Sequence, residues 1–183
     1  MRKFLAMLTF TMTAQAEPFL IDDFTSVEGS SIGGRWSWST DQVMGGVSTG
    51  RAFLTNVNGR SAAQLEGQVS TANNGGFIQI RLVFPRRFDA SDYQGVELEV
   101  IGNGALYHVH LRDRSAWRPW HVYKAGYETD GSLQTIQLPF EEFSPYNSRI
   151  KNNLDVSKLN SLGLVAGYDD FEAELQIFSV RFY

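Results

Sequence analysis

Short stretches of alternating apolar and polar residues, set apart by turn residues, constrain the fold of this chain more than any other feature. Residues 76–84 place Ile78, Ile80, Leu82 and Phe84 on one side and Gln79 and Arg81 on the other. That is the period of two required of a half-buried strand. Residues 94–101 repeat it, with Val96, Leu98 and Val100 inward and Glu97 and Glu99 outward. Residues 105–112 set Tyr107, Val109 and Leu111 against His108, His110 and Arg112. Further strands are expected over 19–24, 52–57, 62–69, 117–124, 133–138, 161–166 and 173–182. Between them lie Asn58-Gly59, Asn73-Asn74-Gly75-Gly76, Gly102-Asn103-Gly104 and Thr129-Asp130-Gly131, residue types that form tight turns. No window of a dozen residues is helical in period. Short helical turns are expected at 139–143 and at 155–159, where Asp155 is placed to cap. The pattern predicts an all-β fold, an antiparallel β-sandwich or jelly roll.

At 183 residues, with 43% apolar and 13% aromatic side chains, the chain is long and apolar enough to bury a sizeable core. There is no internal repeat, low-complexity segment or linker, so residues 17–183 are read as one domain. Residues 1–16 read as a secretory signal peptide: Arg2 and Lys3, an apolar run from Phe4, then Ala14-Gln15-Ala16 as a cleavage site. The apolar run is too short to span a bilayer. An exported, periplasmic protein is expected, and N-terminal sequencing of protein from its host should return Glu17 first. An intact Met1 would overturn that reading.

Cleavage would remove two basic residues and no acidic one, leaving the mature chain more negative than the −4 of the whole sequence. An acidic chain without a basic run is a poor partner for nucleic acid or an anionic membrane. No later segment is apolar enough to be a transmembrane span. Cysteine is absent, which excludes zinc–thiolate sites and thiol catalysis. No Gly-x-Ser-x-Gly elbow, phosphate-cradling loop or cofactor motif occurs. The paired carboxylates Asp22-Asp23, Glu141-Glu142 and Asp169-Asp170 point apart on strands and select no glycosidase pair.

One stretch stands out against this background, Trp36-Ser37-Trp38-Ser39-Thr40-Asp41-Gln42-Val43-Met44-Gly45-Gly46-Val47-Ser48. Gly45-Gly46 suits a positive φ or a close backbone approach. Asp41 is placed to accept from nearby backbone N–H groups, and Met44 to act as an apolar plug. On these grounds the stretch is a structured loop with an architectural role. The segment from Asp41 to Ser48 also resembles the signature of the complex I intermediate-associated protein 30 family, in which an Asp, a Met-Gly-Gly and a Ser follow shortly after a Trp. Ile21-Asp22-Asp23-Phe24, then Leu138-Pro139-Phe140-Glu141-Glu142-Phe143-Ser144-Pro145, then Leu162-Gly163-Leu164 and the run from Phe171 to Val180 follow in the family's order. The resemblance covers about residues 19–183. It implies a galactose-binding-like β-sandwich and, for mitochondrial members, a role in respiratory complex I assembly; it does not imply an enzyme, and none is expected.

The three histidines, His108, His110 and His121, fall close together in sequence. His108 and His110 share a strand face about 7 Å apart, and His121 is placed to join them across a hairpin. A His₃ metal site is geometrically open to them, and a calcium site to Asp22, Asp23 and Asp170; neither is the favoured reading. A polar face is, with Gln79, Arg81, the histidines and Arg112 beside Glu97 and Glu99, flanked by Trp117, Trp120 and Tyr123. Rings beside planar hydrogen-bonding groups suit a sugar or a protein interface. Candidate binding residues are therefore Trp38, Asp41, Met44, Gly45, Gly46 and Ser48 of the signature, and Gln79, Arg81, His108, His110, Arg112 and His121 of the polar face. The expected function is non-enzymatic protein–protein recognition resembling the complex I assembly factors, with complex I subunits or assembly intermediates as partners. The alternative is an envelope carbohydrate-binding module whose partner is a glycan.

Overall fold

Twelve strands run through residues 16–26 and 29–183, which a computed structural model describes. They are β1 Phe19–Asp22, β2 Trp36–Thr40, β3 Thr49–Val57, β4 Arg60–Val69, β5 Phe77–Phe88 and β6 Gly95–Gly102. Then follow β7 Leu106–Asp113, β8 Tyr123–Glu128, β9 Gln134–Pro139, β10 Ser144–Pro145, β11 Leu159–Gly167 and β12 Phe171–Phe182. All pair antiparallel in two six-stranded sheets. One sheet has the order β3-β4-β12-β6-β9, with β1 paired to the far end of β12; the other has the order β10-β8-β7-β11-β5-β2. The expected signal peptide, except for Ala16, lies outside the described residues. Among the described residues no helix is long and apolar enough to cross a membrane.

The sheets pack through the faces that alternation assigns inward. Ile78, Leu82, Tyr107, Val109 and Leu111 of one sheet and Leu65, Val96, Leu98, Val100 and Leu175 of the other are fully buried. Removing that much apolar surface from water is the main force holding two sheets face to face. Central strand β11 is covered on both sides: Leu162 and Leu164 enter the core, and Val165 on the outer side is equally buried. The expected helical turns appear as single 3₁₀ turns at Phe140–Glu142 and Val156–Lys158.

Three expectations need correction. The stretch read as a loop begins as strand β2, an edge strand paired to β5 (Trp36 to Leu82, Trp38 to Ile80), and turns only at Asp41–Met44. The strand expected over 117–124 starts at Tyr123. Pro119 lacks the N–H a ladder needs, and the preceding residues close tight turns instead, His121 N–H donating to Arg118 O at 3.0 Å. Finally, Glu97 and Glu99 do not share a face with the histidines. Strand β6 lies in the opposite sheet, where Glu99 pairs with Arg60 at 2.8 Å and Glu97 with Arg181 at 3.7 Å. Consecutive strands β6 and β7 cross between sheets, a choice that alternation along either strand cannot encode.

Candidate functional site

The outer face of the sheet containing β11 is hollow because its middle strand carries small side chains. Ser161 and Gly163 point outward from β11, Gly163 opposite Arg81 of β5 and His110 of β7, and Ser161 opposite Arg112. Gln79, Arg81, His110 and Arg112 therefore form the sides of a trough with a floor of one hydroxymethyl and one hydrogen. A Cβ added at Gly163 would meet His110 and Gln79 at 3.4 and 3.5 Å, ordinary contact, so the glycine keeps the floor low without being demanded by the fold. The cleft above it has a volume of about 730 Å³, in the range of small-molecule sites. Among the described residues lining it there is no Asp or Glu.

Tyr168 closes one side. It sits at φ 79°, a left-handed conformation that costs a bulky residue on the order of 1–3 kcal/mol and persists where surrounding structure enforces it. Its N–H donates to Gly76 O at 2.8 Å, and its hydroxyl meets His110 Nε2 at 2.6 Å. The Lys124 ammonium lies 3.9 Å from the ring centroid, a cation–π contact, and His108 abuts the ring edge-on at 4.7 Å. Burial, aided by Lys124, holds the His108 pKa down at about 4. Burial, then His108, Lys124 and Arg112, holds that of His110 at about 3. Both imidazoles are neutral at pH 7.

The rim is aromatic. Trp117 is 70% exposed, and Trp120 and Tyr146 also face solvent, Tyr146 with its ring centroid 5.5 Å from that of Tyr168. The tryptophan loop is pinned: Arg112 Nη2 donates to Ala116 O and Arg118 O, both at 2.8 Å, and Asn147 Nδ2 to Trp120 O at 3.0 Å. Arg118 lies 4.3 Å from the Trp117 ring centroid and 5.7 Å from that of Trp120. His121 supports both indoles edge-on from beneath, at 5.2 and 6.3 Å between ring centroids. Exposed rings fixed in this way present flat apolar surface with little ordering entropy left to lose.

The Asp41 signature builds the far wall. Asp41 is fully buried and accepts from Ser48 N–H at 3.0 Å, Ser48 Oγ at 2.5 Å, Gly76 N–H at 2.6 Å and Phe77 N–H at 3.3 Å. Burial pushes its carboxyl up, but the donors of Gly76, Ser48 and Phe77 together outweigh it and hold the pKa below the usual carboxylate range. Gly46 and Gly75 press on this carboxylate, where any Cβ would be driven into it. Gly45 alone of the 45–46 pair has a positive φ, 92°, so Gly46 is required by space and not by φ. The knot fastens the β2–β3 connection to the start of β5 and presents exposed Val43 and Met44 to the cleft.

Of the residues singled out from sequence, the fold brings Met44, Gln79, Arg81, His110 and Arg112 to the cleft. It keeps Asp41, Ser48, His108 and His121 buried as supports, and Gly45 and Gly46 serve the turn. Trp38 faces a neighbouring hollow beside Val43 and Thr49. The histidines do not converge: His108 and His110 face Tyr168, while His121 lies under the indoles. Asp22 accepts from Phe24 N–H and Trp36 Nε1, and Asp170 from Thr71. Among the described residues no three His, Asp or Glu side chains gather as metal ligands. Sequence reading missed Tyr146, Ser161, Gly163 and Tyr168. A small residue mid-strand in an apolar run was the available signal for Gly163. A further hollow of about 590 Å³ on the other sheet, beside Gly50 and Gly67, is lined by Glu66, Glu172 and Glu174 with Arg51 and no aromatic ring.

Comparison with known proteins agrees with this architecture. The complex I intermediate-associated protein 30 family matches residues 23–177. No curated protein matches the chain by sequence. Among solved structures, the family 11 carbohydrate-binding module from Clostridium thermocellum, in complex with a β-1,3-1,4-mixed-linked tetrasaccharide, superposes with a TM-score of 0.70 at 13% identity, over 90% of this chain and 94% of that one. The family 11 module of a cellulosomal cellulase of the same organism gives 0.72 at 12%, over 92% and 95%. A family 30 carbohydrate-binding module gives 0.55 at 16%, over 75% and 91%. At such identities it is the fold that is shared, a galactose-binding-like β-sandwich.

Proposed function

Because the chain belongs to the complex I intermediate-associated protein 30 family, we propose that it is a recognition domain without catalysis of its own, and that it holds a carbohydrate chain in the outer-face cleft. The observation that carries this reading is the cleft: a low Ser161–Gly163 floor, planar Gln79, Arg81, His110 and Arg112 groups along its sides, and exposed Trp117, Trp120 and Tyr146 at the rim. Sugars offer flat apolar faces to rings and hydroxyls to planar donors and acceptors, and this cleft supplies both. The lack of carboxylates among its described lining residues speaks against glycoside hydrolysis, which in most families needs two. Carbohydrate-binding modules of the same fold, one of them in complex with a tetrasaccharide, support this reading. The Ala14-Gln15-Ala16 cleavage pattern supports export, where such a module would meet envelope glycans.

A second reading follows from the family itself: assembly of respiratory complex I through protein contacts, with exposed Val43, Met44 and Val47 of the signature turn as the docking surface. One pair of measurements separates the two. Glycan-array binding should be found for the wild-type chain and fall about tenfold or more in Gly163→Leu, equivalent to at least ~1.4 kcal/mol. That substitution fills the floor from outside and leaves the core untouched, so its melting temperature should stay within a few degrees. Silence on the array, with complex I subunits recovered from membranes on the tagged protein, would favour assembly instead.

A further inference from the structure

We propose that the ligand of this cleft is an anionic carbohydrate, with a carboxylate or sulfate group held between Arg81 and Arg112. The inference rests on the carbohydrate reading above and names the class of sugar that the same site selects.

The charge in the cleft is unbalanced. The chain holds 20 acidic and 16 basic residues, yet no Asp or Glu is among the described residues lining the cleft. On the opposite sheet the arginines are matched, Arg51 to Glu66 at 2.7 Å, Arg60 to Glu99 at 2.8 Å and Arg181 to Glu97 at 3.7 Å. In the cleft they are not. The Arg81 guanidinium makes no hydrogen bond or ion pair among the described residues. Arg112 spends Nη2 on two carbonyls of the tryptophan loop and keeps a buried Nε without a partner. Lys124 and Arg118 contact only rings through their charged ends, and neither has a carboxylate partner in the described residues.

Geometry makes the two arginines one site. They project from strands on either side of β11, opposite Gly163 and Ser161 respectively, so no large side chain stands between them. Burial, with the added charge of Arg81, pulls the Arg112 pKa below its ordinary value, although guanidinium remains charged at any physiological pH. Holding like charges together in a half-buried trough is unfavourable unless a counter-charge arrives. An anionic group placed over Gly163 and Ser161 would supply it, taking up the free Arg81 donors in charge-assisted bonds and offsetting the Arg112 charge beside them. His108 and His110 stay neutral, so the attraction persists through neutral pH. The exposed Trp117 and Trp120 faces favour a sugar ring over an acidic peptide as the body that carries the anion.

The test uses polysaccharides whose charge is removed without changing the sugar. Polygalacturonate, alginate and chondroitin sulfate are compared by titration calorimetry with their methyl-esterified or desulfated forms, with poly-glutamate as a peptide control. At least one acidic glycan should bind about tenfold or more tightly than its neutralised form. Its affinity should fall as salt rises, and Arg81→Gln should reduce it to the level of the neutral form. Arg81 supports no other described residue, so that variant should fold. Arg112→Lys provides a second arm: it keeps the charge, loses the planar fork, and should weaken binding as well. Neutral and acidic forms binding alike would overturn the anionic inference while leaving the carbohydrate reading intact. No binding by any glycan, acidic or neutral, would overturn both. Poly-glutamate binding as tightly as the best acidic glycan would reject the sugar as the ligand class.

Discussion

Asp41→Ala should be the most destabilising single substitution in the signature, with a loss of about 3–5 kcal/mol. The carboxylate is fully buried and satisfies the N–H groups of Ser48, Gly76 and Phe77 and the Ser48 hydroxyl. Each buried donor left without an acceptor costs roughly 1–3 kcal/mol, and part of that sum is recovered where water enters. On a domain of this size the melting temperature should drop by roughly 10 °C. Gly46→Ala should fall in the same class, because its Cβ has nowhere to go but the Asp41 carboxylate. Gly45→Ala should be milder, near 1 kcal/mol, because there only the positive φ objects and nothing lies within 4 Å of the new carbon. Thermal denaturation followed by circular dichroism reads all three. If Asp41→Ala melted like wild type but bound ligand poorly, the signature would be a recognition element and not a structural knot.

Acidification should unfold the domain earlier than its carboxylates alone would predict. Imidazoles titrate near 6.5 in the unfolded chain, but within the fold His108 and His110 accept a proton only at about 4 and about 3. Between those limits the unfolded state binds more protons, so stability rises with pH across the window. The contribution is complete above about pH 6.5 and is lost as pH falls toward 4 and then 3. For two half-buried or buried rings the sum is on the order of several kcal/mol. Denaturant titrations at pH 7 and pH 4.5 should show a clear loss for the wild-type chain and a smaller one for the His108→Gln, His110→Gln pair. The comparison uses the difference between pH values, which is insensitive to any uniform cost of the substitutions. Equal losses in both proteins would mean the rings take up protons without strain, and that Tyr168 and Lys124 do not enclose them as described.

The alternation at 76–84, 94–101 and 105–112 determined the β class and which residues face the core, because side-chain direction along a strand is local and has a period of two. The signature residues Asp41, Gly46 and Ser48 were legible as a structural unit, but of the two reasons open for Gly46, a positive φ or a close approach, only the tertiary structure selected the second. Gly46 is constrained by the Asp41 side chain, which the turn folds against it. Which strands share a sheet was decided by tertiary structure alone. Glu97 and Glu99 alternate as the histidine strand does, yet the chain crosses between sheets at 102–106, and no local pattern records that crossing. The cleft belongs to the same category. Gly163 is unremarkable in sequence until β5 and β7 flank it with Arg81 and His110, and Tyr168 acquires its role through a turn conformation enforced by Gly76. Core positions can be read from one strand at a time because burial needs only a face. A binding site cannot, because it is made of groups on several strands whose adjacency is fixed by pairing.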